Sequence, residues 1–414
     1  PIADPDAPFQ MLVTNLGYEE HTGATAIGRI HAGILHTGDF LQRIHHDGTM
    51  EKIQARYVFA FQGLESVPVQ QVEAGDIVTI GGLKDIEIGE TLADVENPIA
   101  LPTIIVQRPT VQMTFGINTS PFSGQESKWS SSRKLAERLQ TELRTNIALK
   151  VESTDSKDTF LVSGRGELHL GILIETMRRE GYEFQVSRPE AIVITGPDGT
   201  KLEPFEEVHV DVDPDYVGPV VEMLGQRRGK MQSMSTNPDN TIHLTYSMPT
   251  RGLLGFRYRF LTITRGKGVL NSFFVGMLPL EDTIENRQTS SIVVRESGVS
   301  STYGLKNAEE RGTLFIGAGV PIYEGMVVGE TPRPQDLSIN IAKKKHLTNM
   351  RQSNKDIEIR LTPPRNLSLD EMIEYLAPDE LLEVTPQSLR LRKRILDTND
   401  RMRFQKSGEV EEDD

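Results

Sequence analysis

Apolar residues along this chain recur mostly in short alternating runs cut by Gly, Asp and Pro, and less often at helical spacing. In the first hundred residues the segments 26–30 and 40–44 read as strands. Ala32-Gly33, Thr37-Gly38-Asp39 and Asp47-Gly48 turn the chain around them, and residues 72–80 supply one more turn and strand. Short strands with regular Gly turns predict a closed β-barrel.

From residue 108 the period changes. Residues 109–115 and 147–151 read as strands. Between them 130–144 reads as a helix, with Leu135, Leu139 and Leu143 on one stripe and Ser residues near its start. A strand at 159–162 then enters Ser163-Gly164-Arg165-Gly166-Glu167-Leu168-His169-Leu170. Gly164 and Gly166 allow a sharp turn into an amphipathic helix that carries Glu167 in its first turn and Arg178 and Arg179 in its last. Gly181 stops the helix, and 182–186 reads as a strand. The order is β-α-β-β-α-β, the ferredoxin-like sequence of elements.

A second set of the same order follows. Strands are expected at 205–212, 241–246 and 269–274, and helices at 218–224 and 253–264. Beyond 288 the strand candidates are 291–295, 313–316, 326–329, 357–361 and 389–392, with one helix opened by Ser368 as N-cap. The predicted fold class is multidomain β and α+β. A β-barrel over 1–105 precedes ferredoxin-like units over 106–190 and 191–287, and a mostly-β domain over 288–414 ends in an acidic tail.

Composition narrows the function classes. The 414 residues carry a net charge of −14, which argues against nucleic acid unless the basic residues cluster. No apolar run approaches the roughly 18 residues of a membrane span. Cys is absent, which excludes disulfides and thiolate metal sites and fits a reducing compartment. The start, Pro1-Ile2-Ala3-Asp4-Pro5, lacks Met and reads as a linker, so an excised or processed piece is expected.

The turn SGRGELHL, the helix ending MRREG and the strand ending VSRPE resemble the third domain of the translational GTPases related to elongation factor G, and most closely its TypA/BipA branch. GRIxxG, TGD and EAGDIV in the first segment resemble the second-domain barrel of translation factors. Glu203-Pro204-Phe205-Glu206, Tyr216-Val217-Gly218, Arg227-Arg228-Gly229-Lys230 and the run from Pro249 to Arg257 resemble the fifth domain. Gly319 to Met326, Lys345 to Arg351 and Val384-Thr385-Pro386 resemble the TypA-specific C-terminal domain, where the LepA relatives end differently.

The chemistry of the family's GTPase domain is not spelled in this chain. Gly229-Lys230 is followed by Met231 and Gly266-Lys267 by Gly268, so no P-loop forms, and Asn354-Lys355 is followed by Asp356 rather than completing NKxD. The resemblance implies a GTPase domain upstream of Pro1, with GTP and Mg bound there by the intact parent. This chain is expected to hold no cofactor or metal and to be no enzyme by itself.

Candidate contacts with RNA are cationic. Lys343, Lys344, Lys345, His346, Asn349 and Arg351 form the clearest cluster, with a solvated hairpin tip as the ordinary alternative. The resemblance implies that this loop reaches the ribosomal A site, towards the tRNA acceptor end. Arg227, Arg228, Lys230, Arg251, Arg257, Arg259, Arg265 and Lys267 gather near helix exits of the fifth-domain-like unit, where cations also suit the helix dipole. The resemblance makes them contacts with the RNA of the large subunit.

Arg165, Glu167, His169 and Phe122 are read as domain-interface residues. Glu167 and His169 lie two apart on a helix start and point in different directions, with no nucleophile or metal spacing beside them. Phe122 lies in a loop like the family's NTSPFxG segment, expected to face the GTPase domain or the small subunit. An ordinary loop anchored by Phe122 and Trp129 is the alternative. His21, His31, His36, His45 and His46 crowd the barrel without ligand spacing and read as surface imidazoles.

The leading reading is a monomeric ribosome-binding body acting in translation, ribosome assembly or stress adaptation. Its partners would be the rRNA of both subunits and A-site tRNA, with no membrane, in a bacterial cytoplasm or plastid stroma. The alternatives are a LepA-like fragment and a non-ribosomal protein-interaction scaffold.

Overall fold

The computed structural model describes residues 4–19, 22–63, 65–104, 109–143, 146, 148–280, 289–344 and 360–407. They fall into two compact units, one of residues 1–108 and 136–151, the other of 109–135 and 152–414.

The first unit is built on a nine-stranded curled sheet whose hydrogen-bonded path runs from Met50–Gln54 to Glu65–Pro68. The long strand Gly23–Ala32 holds it together, pairing with Gln10–Leu12, Asn15–Glu19 and Ile77–Leu83. Alternation places Ala26, Ile30, Val78 and Ile80 on the inner face, fully buried with Met11, Val13 and Leu92. Gly28 is required by close approach, since a Cβ there would lie 2.2 Å from the Leu12 carbonyl oxygen. A buried charged pair sits in this unit: Arg43 grips Glu90 through Nε at 2.8 Å and Nη2 at 3.0 Å, and also donates to the Lys84 carbonyl.

In the second unit, strand Val111–Gly116 lies antiparallel between Thr159–Gly164 and Phe184–Val186. The rings of Phe115 and Phe184 stack with centroids 5.7 Å apart. Helix Glu167–Arg179 buries Leu170, Leu173, Ile174 and Met177, the 3.6-residue stripe visible in its sequence. Phe184–Val186 does not end the sheet. It pairs with Glu380–Val384, which pairs with Leu389–Lys393, so a C-terminal hairpin continues the ladder.

The second set of elements forms an antiparallel sheet in the order Lys230–Thr236, Ile242–Pro249, Lys201–Val212, Val269–Pro279. This is the ferredoxin-like order, with the first and third strands central. Val208, Val210, Leu244, Tyr246 and Met248 on one face pack against Val220, Leu224, Phe256 and Phe260 of the helices. The single helix expected at 253–264 is instead two: a turn at Thr250–Leu253 and a helix at Phe256–Ile263. Gly255 separates them with φ 65°, a left-handed conformation that breaks the helical path and that Gly adopts without strain.

The remaining residues form a four-stranded sheet in the order Thr313–Leu314, Val327–Thr331, Ser290–Val294, Leu337–Ile339. Helix Thr302–Glu309 covers its core, with the Ser301 hydroxyl accepting from the Gly304 N–H. Ser368 caps helix Leu369–Tyr375 as expected, reinforced by a reciprocal bond with Glu371. The strand expected at 357–361 falls largely outside the described residues, and Arg360 and Leu361 belong to no strand. Among the described residues no helix is long and apolar enough to cross a membrane.

Candidate nucleic-acid interface

The SGRGELHL turn opens onto the split helix. The Glu167 carboxylate accepts the Gly255 N–H at 2.9 Å. Arg227 closes the same turn from beneath, donating to the carbonyls of Gly252 at 3.0 Å and Leu254 at 2.7 Å, with its guanidinium over the Phe256 ring. Glu374, from helix Leu369–Tyr375, lies so close that a Cβ on Gly255 would sit 2.5 Å from its Cγ. Three segments distant in sequence therefore meet at one left-handed glycine.

The electrostatics there are unusual. Burial pushes the Glu167 carboxyl up to about 7, and the neighbouring Glu374 and Asp370 carboxylates add to the rise against the Gly255 N–H and Arg227. Burial also raises Glu374, although Arg259 approaches it at 3.5 Å. His169 turns away from this cluster: its Nδ1 accepts the Arg165 N–H at 3.3 Å. The Arg165 carbonyl accepts from the Thr110 hydroxyl at 3.0 Å, and the Arg165 side chain is exposed.

The cations of this region separate into two groups. Arg227 is 7% exposed and its guanidinium is occupied by backbone carbonyls. Arg251 is held by both oxygens of the fully buried Glu203, Nε to Oε2 at 2.6 Å and Nη2 to Oε1 at 3.1 Å. Both are read from the sequence as RNA contacts, and in the fold both guanidiniums are engaged by the protein itself. A guanidinium buried in such contacts cannot reach a phosphate without leaving carbonyls or a carboxylate unpaired.

Arg228, Lys230, Arg257, Arg259, Arg265 and Lys267 are exposed. Arg228 at φ 65° and Arg265 at φ 51° occupy left-handed turns just beyond helices Val217–Gln226 and Phe256–Ile263. Arg257 reaches the Leu270 carbonyl at 3.3 Å and Lys267 reaches Asp213 at 3.2 Å, bonds that solvent access leaves exchangeable. Lys343 and Lys344 are also exposed, and the Lys343 carbonyl accepts from the Ser301 hydroxyl. Lys345, His346, Asn349 and Arg351 lie outside the described residues.

Phe122 packs edge-on against Tyr323 with centroids 5.1 Å apart, so its described neighbour is the C-terminal sheet domain. Beside it runs a buried network that sequence reading missed. Glu383 accepts from Asn118 Nδ2 at 3.0 Å, Tyr323 Oη at 2.7 Å and Arg390 Nη1 at 2.9 Å. Arg390 also pairs with Glu126, and Lys393 pairs with Asp379 at 2.8 Å and with the buried Glu380 at 3.0 Å. The available signal was the charge interspersed with Leu inside ELLEV and LRLRK, two short strands of opposite sign whose ions need partners once buried.

Three of the barrel histidines have ordinary partners: His36 meets Asp39, His45 meets Glu90 and His46 meets the Thr103 hydroxyl, while His31 is exposed. His21 lies outside the described residues. Among the described residues no group of three or more His, Cys, Asp or Glu is placed to hold a metal ion.

Family profiles match in three places. Residues 23–93 match elongation factor Tu domain 2, 200–288 the elongation factor G C-terminus, and 289–398 the TypA/BipA C-terminal domain. The chain is 47% identical over 393 residues to the large ribosomal subunit assembly factor BipA of Synechocystis, covering 95% of this chain and 66% of that protein. It is 42% identical over 402 residues to the protein of the same name from Bacillus subtilis, covering 97% and 66%. It is also 47% identical over 394 residues to the chloroplastic TypA-like SVR3 of Arabidopsis thaliana, covering 95% and 58%. The chain thus spans at most about two thirds of these relatives' length. With this C-terminal match and identity sustained across nearly its whole length, the chain belongs to the TypA/BipA family.

Proposed function

We propose that this chain is the ribosome-binding body of a TypA/BipA-type GTPase acting in assembly of the large ribosomal subunit. The observation that carries the reading is the sorting of cations in the fifth-domain-like unit. Arg227 and Arg251 are consumed inside the fold, whereas Arg228, Lys230, Arg257, Arg259, Arg265 and Lys267 are all exposed on one small domain. A chain of net charge −14 that keeps six cations exposed on one domain is built for a polyanion at that place. Two relatives carry the name large ribosomal subunit assembly factor, which agrees with RNA of that subunit as the polyanion.

In this reading Lys343 and Lys344 begin the loop that approaches A-site tRNA, and a nucleotide-binding domain of the full-length protein, with GTP and Mg, switches the affinity. The protein acts as a monomer in the bacterial cytoplasm or plastid stroma. Sedimentation of the full-length protein with large subunits tests this. Association at low salt that falls at least tenfold between 50 and about 200 mM salt is expected. No association of the full-length protein at low salt would overturn the proposal.

A further inference from the structure

The outer face of the sheet formed by Lys201–Val212 and its neighbours carries four titratable side chains in a line. His209 Nε2 lies 2.9 Å from Glu207 Oε1, and His243 Nδ1 lies 2.8 Å from Asp211 Oδ1. Those bonds place a proton on each of these nitrogens, because a carboxylate only accepts. The other two ring nitrogens, His209 Nδ1 and His243 Nε2, then face each other with lone pairs at 3.3 Å. Two lone pairs do not attract at that distance, so either one ring carries a second proton or a cation lies between them.

From this juxtaposition we propose that His209 and His243 form a binding site for one divalent transition ion, with zinc as the reference metal. A tetrahedral ion bonded to two imidazoles at about 2.0–2.1 Å sets their nitrogens about 3.3–3.4 Å apart. The observed 3.3 Å matches that bite, and it lies at the long end for a direct hydrogen bond between the two rings. Each imidazole is oriented by a carboxylate on its far nitrogen, the support that fixes tautomer and basicity in histidine metal sites.

Further neighbours hold the pair in place. Asn237 Nδ2 donates to the Asp211 oxygen at 3.1 Å, and the Phe273 ring meets His209 edge-on at 5.7 Å. The Thr245 hydroxyl lies 3.4 Å from His243 Nε2. The register explains the meeting. Strand pairing sets Asp211 opposite His243 and His209 opposite Thr245, so the two imidazoles are diagonal neighbours on one face. Their side chains are each 28% exposed, which leaves the remaining coordination positions open to water or to an oxygen ligand of a partner. With no cysteine in the chain, nitrogen and oxygen donors must suffice, and imidazole suits zinc, nickel and copper.

The test is titration of the metal-stripped chain with cobalt(II), followed by zinc displacement, read from the visible d–d absorbance. One equivalent bound at micromolar affinity is expected. His209→Ala or His243→Ala should each weaken that equivalent at least tenfold, and Asp211→Asn should weaken it by about tenfold. Zinc-edge X-ray absorption on the unaltered chain should give two imidazole nitrogens at about 2.0 Å completed by oxygens. Absence of stoichiometric binding would overturn the site and leave the pair sharing a proton. Binding that survives both histidine substitutions, or a shell without two imidazoles, would overturn it equally.

Discussion

The two ferredoxin-like units run through the same order of elements and are used in opposite ways. In the first, strand Phe184–Val186 is capped by the hairpin strand Glu380–Val384, and Val111–Gly116 is largely buried. In the second, the edge strand Lys230–Thr236 is exposed at every residue and Val269–Pro279 over most of its length. Capping the edge turns a ferredoxin-like sheet into a hub, because the ladder and its face are filled by other parts of the chain. Leaving the edge and the outer face open makes the same sheet a presenting surface, a hazard unless charged or polar groups guard it. Lys230, Ser233, Ser235, Glu207 and Asp211 supply that protection here.

The hub should be the part most sensitive to substitution. Glu383 is fully buried and accepts from three side chains, so Glu383→Ala should cost about 3–5 kcal/mol. Trp129, the single tryptophan, lies in the first ferredoxin-like unit next to Tyr182 and reports the loss as a shifted urea midpoint. An unchanged midpoint would mean that the hairpin does not support that sheet.

The junction of hub and surface should respond to pH. The Glu167 carboxyl is raised to about 7 in the fold from an ordinary 4.5, so its ionised form is the disfavoured one. Its penalty is absent below about pH 4.5, grows as pH rises, and is complete above about 7. Glu167→Gln keeps an acceptor for the Gly255 N–H and removes the charge. The stability difference between this variant and the unaltered chain should therefore grow from near zero at acid pH to about 3 kcal/mol in favour of the variant at pH 8. A difference that is flat across that range would show that the carboxyl is solvated.

Next in size is Gly255→Ala, which forces a left-handed φ of 65° on a side chain and drives its Cβ into Glu374. A loss of about 1–2 kcal/mol is expected, with faster proteolysis around residue 255. The smallest effect on stability belongs to the open surface. Arg228→Ala and Arg265→Ala should each stay within about 0.5 kcal/mol in thermal unfolding.

Much of this division was legible in the sequence. Alternation and Gly turns marked the strands of the barrel, the SGRGELHL turn marked the helix Glu167–Arg179, and Ser368 marked a cap that formed as read. What escaped were features set by partners far along the chain. Arg227 and Arg251 look like Arg228 and Arg265 in the sequence, because only the fold decides which guanidinium finds Glu203 or the carbonyls of 252–255. Gly255 split a helix that its apolar spacing promised, since spacing does not record a left-handed φ. Glu383, Arg390 and Lys393 were visible as charges in short strands, yet their partners lie up to hundreds of residues away, beyond any local pattern.

The central claim is that the open unit, and not the hub, holds the protein to ribosomal RNA. It is tested most directly by the salt dependence of large-subunit binding, measured for the full-length protein and for its Arg228→Ala/Arg265→Ala double variant. The account predicts that the slope of log affinity against log salt falls in magnitude by about 2, with the unfolding midpoint unchanged. An unchanged slope, with the double variant folded, would contradict it.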